Sequence, residues 1–555
     1  METVEIARGA FESSTTAERQ SPAATNRMLM IGFAGAVLFQ LFLLIVVGWH
    51  NRQMINYDAI FYMRTASYYA NLQFDLAVNG YWGPLFSWLM VPLLSIFENP
   101  IDAARLVMAL SAVIFLIGSI SVFKSFDIHP AGKILSAWIT AVSSAAWTVK
   151  MTPDLLLGGL LCLAVGQMAS SKWIAQRAVQ VATGVLWGLA YFAKPVAFPL
   201  ALVTSSVIAA LWAIGHEHKK TIWRSLAVTL IAFLSITSVW VLILSVKYGG
   251  VVISTSGKIA HAIVGPRDVE RLHPHNVTFH VPEPGRISAA EDPTNMSYQF
   301  WSPFESLEYA KHQWMLICYN AKEIVATLSG FSVSGLGAFA ILFGLFVHSP
   351  WRRNMKESRW RWSGAVVACL AGIYLPVYAE QARYFYVTYP FLFAAAFGLV
   401  AWLAPTIGDR LSWPLLIGFT TVTICFALPA REELRQAFIT SEDERHVERG
   451  RYIAEKLKAN RLQGPIAGDH GLYIAFFTNQ PWYGAEPNPT VERFVASKAK
   501  LAVISRGEQE LVDQFNHAAA FADLDSVLFD KQKPADRFPL KVYLRADSAG
   551  SQNSP

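Results

Sequence analysis

Apolar residues fall along this chain in long blocks separated by short polar stretches. A helix needs about 20 mostly apolar residues to cross a bilayer. Blocks of that kind predict spans at about 28–48, 103–123, 132–149, 154–170, 178–193, 196–213, 225–246, 331–349, 362–379, 384–404 and 412–429, roughly eleven in all. Lys194-Pro195 divides the 178–213 block into two short helices. The stretch Tyr81–Phe97 is also apolar, but at about 16 residues it sits near the lower limit for a span. It reads as a juxtamembrane or re-entrant helix.

Charge supports that reading. With the N-terminus in the cytoplasm, the inner loops carry Lys124 and Lys133; Lys172 and Arg177; Lys219, Lys220 and Arg224; and Arg352, Arg353, Lys356, Arg359 and Arg361. These are the most basic short loops, as the positive-inside rule requires. Counting Tyr81–Phe97 as a full span would place all of them outside. Residues 1–27 are polar and low in complexity, and read as a disordered cytoplasmic tail. The first apolar run, about 21 residues, is too long for a signal-peptide core and has no convincing cleavage site, so it is expected to be retained.

The chain therefore divides into a transmembrane region at 28–429, with outer-face loops at 49–102 and 247–330, and an outer tail at 430–555. In the tail the charge density rises and the apolar runs shorten. Residues 441–459 read as an amphipathic helix; Pro465–Ala467, Leu501–Ser505 and Lys541–Leu544 read as strands between helical segments. That alternation predicts a small α/β domain. The expected class is a polytopic α-helical membrane protein with a small C-terminal α/β domain.

Composition agrees. Over 555 residues, 53% are hydrophobic and only 15% charged, and the mean hydropathy is +0.33. A soluble protein carries roughly a quarter charged residues. The net charge of +6 lies in short loops between apolar runs, which reads as membrane orientation and not nucleic-acid binding. The four cysteines form no CxxC spacing that would point to zinc or redox chemistry.

The informative residues are charges at the outer ends of spans, because an ionisable group at membrane depth is costly. Asp58 follows the first span among Tyr57, Phe61, Tyr62, Tyr68 and Tyr69. Aromatic burial raises a carboxylate pKa and suits it to proton abstraction; an interfacial aromatic belt with a capping acid explains the same residues. Asp154 opens the fourth span after Pro153, where a helix dipole also favours an acid. Lys194 lies between two apolar helices, as a snorkelling side chain or as a phosphate ligand. Glu380 and Arg383 lie between two spans, with Tyr384 beside them. They are an interfacial ion pair, or Arg383 clamps a phosphate with its fork of donors. Each motif alone is weak. Their order and their common side carry the argument.

With these residues in place, the chain resembles the type-C glycosyltransferase fold. It is most similar to the bacterial lipid A aminoarabinose and galacturonosyltransferases and, more distantly, to the protein O-mannosyltransferases. The resemblance covers about residues 28–405 and rests on Asp58, Gly83–Leu93 (GPLFSWLMVPL), Thr152–Gly158 (TPDLLLG), Gly188–Pro195 (GLAYFAKP) and Ala382–Leu392 (ARYFYVTYPFL). It implies a polyprenyl-phosphate-linked sugar donor, an active site at the outer leaflet of the inner (plasma) membrane, and inversion at the anomeric carbon. It also implies a lipid, glycan or protein acceptor. Carried over by position, Asp58 is the catalytic base, Asp154 a second carboxylate of the site, and Lys194 and Arg383 the donor-phosphate ligands, with Glu380 and Tyr384 in support. The family often has a Lys or His before a Pro-Pro pair in the first loop, where this chain has Tyr81-Trp82-Gly83-Pro84. Arg64 or a residue of the long outer loop is the expected substitute.

These residues fix no cofactor and leave a divalent metal open. His273, His275 and His280 in the outer loop offer imidazoles to a divalent metal, but their spacing is not diagnostic. Asp469-His470 in the tail reads as a structural contact. Two rival functions remain at this point. A lipid-linked sugar flippase would be expected to show repeats and charges near the midplane; no repeat is evident, and these charges gather at one face. A non-catalytic assembly or sensor protein would have no need of matched outer-face acids and bases.

Overall fold

The computed structural model describes residues 22–214, 216–273, 278–283, 285–348, 358–407, 413–439, 442–529 and 538–546. Residues 1–21, the basic loop residues Arg352, Arg353 and Lys356, and His275 lie outside them.

A helix stands at each of the eleven predicted blocks. They are α1 (Pro22–His50), then after the first loop α4 (Pro100–Ser125), α5 (Pro130–Trp147), α6 (Asp154–Met168), α7 (Arg177–Ala193), α8 (Ala197–Ala213) and α9 (Lys219–Tyr248). The first loop itself holds α2 (Tyr57–Ala70) and α3 (Pro84–Met90), the latter continued by a 3-10 turn to Ser95. Beyond α9 come α10 (Ser256–Ala262), α11 (Leu307–Phe331), α12 (Val333–His348), α13 (Trp362–Gly372), a 3-10 turn at Ala382–Thr388, α14 (Tyr389–Ile407) and α15 (Trp413–Gln436). Among the described residues, five helical segments are individually long and apolar enough to cross a membrane: Ala23–His50, Pro100–Ser125, Lys219–Tyr248, Ala382–Ala404 and Trp413–Gln436. The protein is a multi-pass membrane protein, and the other predicted spans are shorter or less apolar helices packed among these five.

Two differences from the sequence reading matter. Helix α1 begins at Pro22, inside the stretch expected to be a disordered tail. More important, α11 is a 25-residue helix within the region taken as an outer loop. Its apolar run is broken by Glu308, Lys311, Lys322 and Glu323, so hydropathy does not reveal it.

Close backbone contact sets the helix positions that matter for the site. A Cβ on Gly118 of α4 would meet the Gly159 carbonyl of α6 at 2.4 Å, and one on Gly159 would meet the Phe115 nitrogen at 2.7 Å. Small residues at such a crossing let two membrane helices pack by direct backbone approach. This seats the N-terminus of α6, and with it Asp154, firmly against α4.

The tail folds as expected. Helix α16 (Glu442–Ala459) leads into strand β1 (Ile466–Ala467), helix α17 (Gly471–Thr478), β2 (Leu501–Ser505), α18 (Gln509–His517), β3 (Phe521–Asp523) and β4 (Leu540–Arg545). The sheet order is β1-β2-β4-β3, with β1 parallel to β2 and the other pairs antiparallel. Of its four strands only β3 was absent from the sequence reading.

Candidate active site

Four of the predicted charges meet. Asp58 stands in the first turn of α2, Asp154 in the first turn of α6, Lys194 at the C-terminal cap of α7, and Arg383 in the 3-10 turn before α14. The Arg383 guanidinium Nη1 lies 2.7 Å from Asp58 Oδ2, and its Nε lies 3.8 Å from Asp154 Oδ2. Lys194 Nζ donates to Asp154 Oδ1 at 2.6 Å and sits 3.8 Å from the centre of the Tyr384 ring. The result is an alternating row, Asp58, Arg383, Asp154, Lys194, whose formal charges sum to zero. The Asp58 surroundings are thus not only aromatic; a guanidinium faces the carboxylate. Asp154 is the deepest of the four, with a side chain only 3% exposed.

Local geometry explains how such distant residues converge. Asn56, the N-cap of α2, accepts from the Met151 N–H at 2.9 Å through its side-chain oxygen. That bond ties the approach to Asp58 to the approach to Asp154. Arg105 on α4 reinforces it by donating to the carbonyls of Met54, Thr148 and Val149 at 2.5, 2.9 and 3.1 Å. Arg105 is a positioning residue that the sequence reading passed over. On the other side, Gly83 packs against the end of α7. A Cβ there would lie 2.3 Å from the Ala193 carbonyl and 2.6 Å from that of Phe192. Only glycine fits at that approach, which brings Pro84 and helix α3 beside Lys194. Lys194 itself takes an extended backbone at the helix end, where the dipole favours a cation.

The four charges line a cavity of about 500 Å³, shared with Tyr81, His273 and Tyr384. A space of this size is typical of small-molecule sites, ~300–1,000 Å³. His273 comes from the long loop between α9 and α11. Burial pushes its imidazole below the usual range, with Asp58 acting in the opposite direction.

The two remaining predicted residues stand elsewhere. Arg64 does not reach the cavity. It pairs with buried Glu291 at 3.3 Å and donates to the carbonyls of Ala475 and Gln480 in the tail domain. Arg64 thus joins α2 to the long loop and to the tail, away from the cavity where a substitute phosphate ligand was expected. Glu380 is exposed at the rim, accepting from Tyr319 and Tyr378, both at 3.1 Å, and is not paired with Arg383. Tyr319 belongs to α11, which also donates from Gln313 and Asn320 to the carbonyls of Pro376 and Leu375. The unforeseen helix thus builds part of the rim.

Among the described residues, no three His, Cys, Asp or Glu side chains converge to hold a metal ion. His273 faces the cavity, whereas the backbone N–H of His280 donates to the Tyr483 carbonyl of the tail. In the tail, Asp469 and His470 pair at 3.3 Å and His470 stacks on His446.

The sequence matches no protein-family model and no curated protein. Its structure does have a counterpart. ArnT from Cupriavidus metallidurans, in a crystal structure bound to undecaprenyl phosphate, aligns with a TM-score of 0.52 at 14% identity, over 92% of this chain and 98% of that one. The chain has the type-C glycosyltransferase fold. Two other structures of this fold align at lower scores. The Archaeoglobus fulgidus oligosaccharyltransferase, in complex with Zn and sulfate, has a TM-score of 0.47 at 12% identity, over 85% of this chain and 68% of that one. The arabinofuranosyltransferase AftD from Mycobacteria has a TM-score of 0.46 at 13% identity, over 94% of this chain and 40% of that one. At such identities the type-C likeness speaks for the fold, and the chemistry must be argued from the cavity.

Proposed function

We propose that this protein is a membrane glycosyltransferase. It moves a sugar from a polyprenyl-phosphate donor to a hydroxyl acceptor at the outer leaflet of the inner membrane, with inversion. The observation that carries the reading is the convergence of two acids and two bases on one open cavity at one end of the helical bundle.

The chemistry makes three demands. The acceptor hydroxyl must lose a proton as it attacks the anomeric carbon. Asp58 is the base: it stands at the cavity, and its neighbour Arg383 holds the carboxylate in place. The departing phosphate gains negative charge, and fixed cations must meet it. Lys194 and Arg383 supply those cations, with Asp154 setting their positions from behind. An arginine offers five donors, so a guanidinium bound to Asp58 still has N–H groups for a phosphate oxygen. Finally, the lipid tail must stay in the bilayer while its head reacts. Helix α3, short and apolar, lies beside the cavity and suits the wall of that passage. The long loop closes part of the cavity wall through Ser256, Gly257, Ala260, Ile263, Val264 and His273.

The fold assignment supports this reading, as does ArnT, whose structure contains undecaprenyl phosphate. The sugar and the acceptor are set by parts of the cavity that these charges do not specify. The test is turnover in reconstituted vesicles supplied with polyprenyl-phosphate sugars and envelope glycolipid acceptors. Acceptor-dependent release of polyprenyl phosphate is the expected result. Passage of intact lipid-linked sugar across the bilayer, with no bond cleaved, would identify a flippase instead.

A further inference from the structure

The row of four charges presents a difficulty for any anionic ligand. Asp58, Arg383, Asp154 and Lys194 sum to zero, and each cation already faces a carboxylate. A lipid phosphate brings at least one further negative charge into a cavity whose walls are largely protein. Burying an unbalanced charge is strongly unfavourable. The first loop offers Tyr81, Trp82 and Gly83 to this cavity, none of them a cation.

One lining residue can change its charge near neutral pH. His273 is half-buried and enters the cavity from the outer loop. Five residues further on, the loop is held by the tail domain. The Thr278 hydroxyl and the Phe279 N–H both donate to Glu486 Oε1, at 3.3 and 3.2 Å, and the His280 N–H donates to the Tyr483 carbonyl at 2.7 Å. The Phe279 ring packs 4.6 Å from that of Phe494. The long loop is therefore anchored to the tail at residues 278–280.

We propose that His273 takes up a proton when a lipid phosphate enters the cavity, and so supplies the positive charge that the four-residue row lacks. The inference rests on the phosphate-binding reading above and deepens it. No bond in the lipid changes; a proton moves from solvent to the imidazole, which then donates to a phosphate oxygen.

The direction follows from the surroundings. His273 shares the cavity lining with Asp58, Asp154, Arg383 and Lys194, and of these Asp58 acts on it, favouring its protonation. On its own segment stand Glu270 and Arg271. The lining tyrosines Tyr62, Tyr81, Tyr374, Tyr378 and Tyr384 do not ionise in this range. Burial lowers the imidazole, so the empty site favours the neutral ring. A nearby anion raises it. Ligand and proton then bind together. Affinity is greatest below the pKa of the empty site and falls as pH rises to the pKa of the occupied one. Between the two, the change is at most about tenfold per pH unit.

Calorimetric titration of the full-length protein in nanodiscs with undecaprenyl phosphate tests this. Titrations are run from pH 5.5 to 8.5, each in two buffers of different ionisation heat. The His273→Gln and His273→Asn variants give the baseline, which includes the titration of the lipid phosphate itself. The wild type is expected to take up as much as about one proton more than either variant. Its affinity should exceed theirs several-fold at the acid end and converge with them at the alkaline end. Equal proton uptake and equal pH dependence in wild type and variants would overturn the proposal while leaving the phosphate site standing. Failure of the wild type to bind the lipid at any pH would overturn both. If both variants fail to fold, the wild type alone decides: uptake no greater than the lipid's own ionisation predicts defeats the proposal.

Discussion

Two clusters of acids and bases stand close together on the same end of this molecule, and they differ in one respect. The first is the row Asp58, Arg383, Asp154, Lys194. The second joins the outer loop to the first loop and α9: Glu291 pairs with Arg64 and accepts from Tyr68 at 2.7 Å, and Asp292 lies 3.5 Å from Lys247 and accepts from Tyr248 at 3.0 Å. Glu291 and Asp292 are almost fully buried, at 3% and 1% exposure. Their oxygens are further occupied by Ser288 and Thr294. The second cluster is closed; the first borders an open cavity. Paired charges alone do not mark a site. Paired charges with room for a substrate do. The second cluster fastens the long loop to the first loop and α9, and the first is the reactive centre of the proposed transferase.

That contrast can be broken by mutation. Asp58→Asn keeps the size of the side chain and removes the base. Turnover in vesicles should fall at least about a hundredfold, the lower end of general-base contributions, with a smaller loss of stability than Glu291→Ala, because the Asp58–Arg383 pair borders the cavity and asparagine still accepts a hydrogen bond from the guanidinium. A variant that transfers sugar at the wild-type rate would remove Asp58 from the mechanism. Glu291→Ala should do the reverse. Removing one partner of a buried pair costs about 3–5 kcal/mol, so thermal unfolding in detergent should show a large loss of stability. The molecules that remain folded should turn over at a rate close to normal. A stable but inactive Glu291→Ala protein would mean that the fastener takes part in chemistry.

The remaining changes are smaller. Arg383→Ala should raise the donor KM by about ten- to a hundredfold, in line with ~1.5–3 kcal/mol for a hydrogen bond to a charged group. Unchanged donor dependence would take Arg383 out of the phosphate site. Arg493→Ala should be the mildest. Arg493 pairs with Glu486, which anchors the outer loop, but its side chain is 55% exposed. Exposed pairs are worth roughly 0–1 kcal/mol. Hydrogen exchange at residues 278–280 should rise slightly, with turnover almost unaltered; a large loss of turnover would show that the anchor depends on this pair.

The sequence made the row of four charges legible and the fastener opaque, for a physical reason. Asp58, Asp154, Lys194 and Arg383 all stand at the ends of apolar blocks, where charge is conspicuous. Arg64 was expected only as a substitute for a cation missing from the first loop. Its partner Glu291 is 227 positions away in a polar loop, and nothing local distinguishes a residue that faces a cavity from one that faces a distant carboxylate. Helix α11 escaped because its charges interrupt the hydropathy signal. Arg105 escaped because its work is done through backbone carbonyls, which leave no trace in side-chain pattern. His273 was noticed only as one of three loop histidines; its place in the cavity depends on how the loop folds back.

The account turns on where a lipid phosphate sits. A cryo-EM map of the protein with undecaprenyl phosphate measures this directly. The account predicts phosphate density within hydrogen-bond reach of both Lys194 Nζ and the Arg383 guanidinium, with the polyprenyl chain leaving along α3. Phosphate density bound elsewhere, with the cavity between Asp58 and Lys194 unchanged, would contradict it.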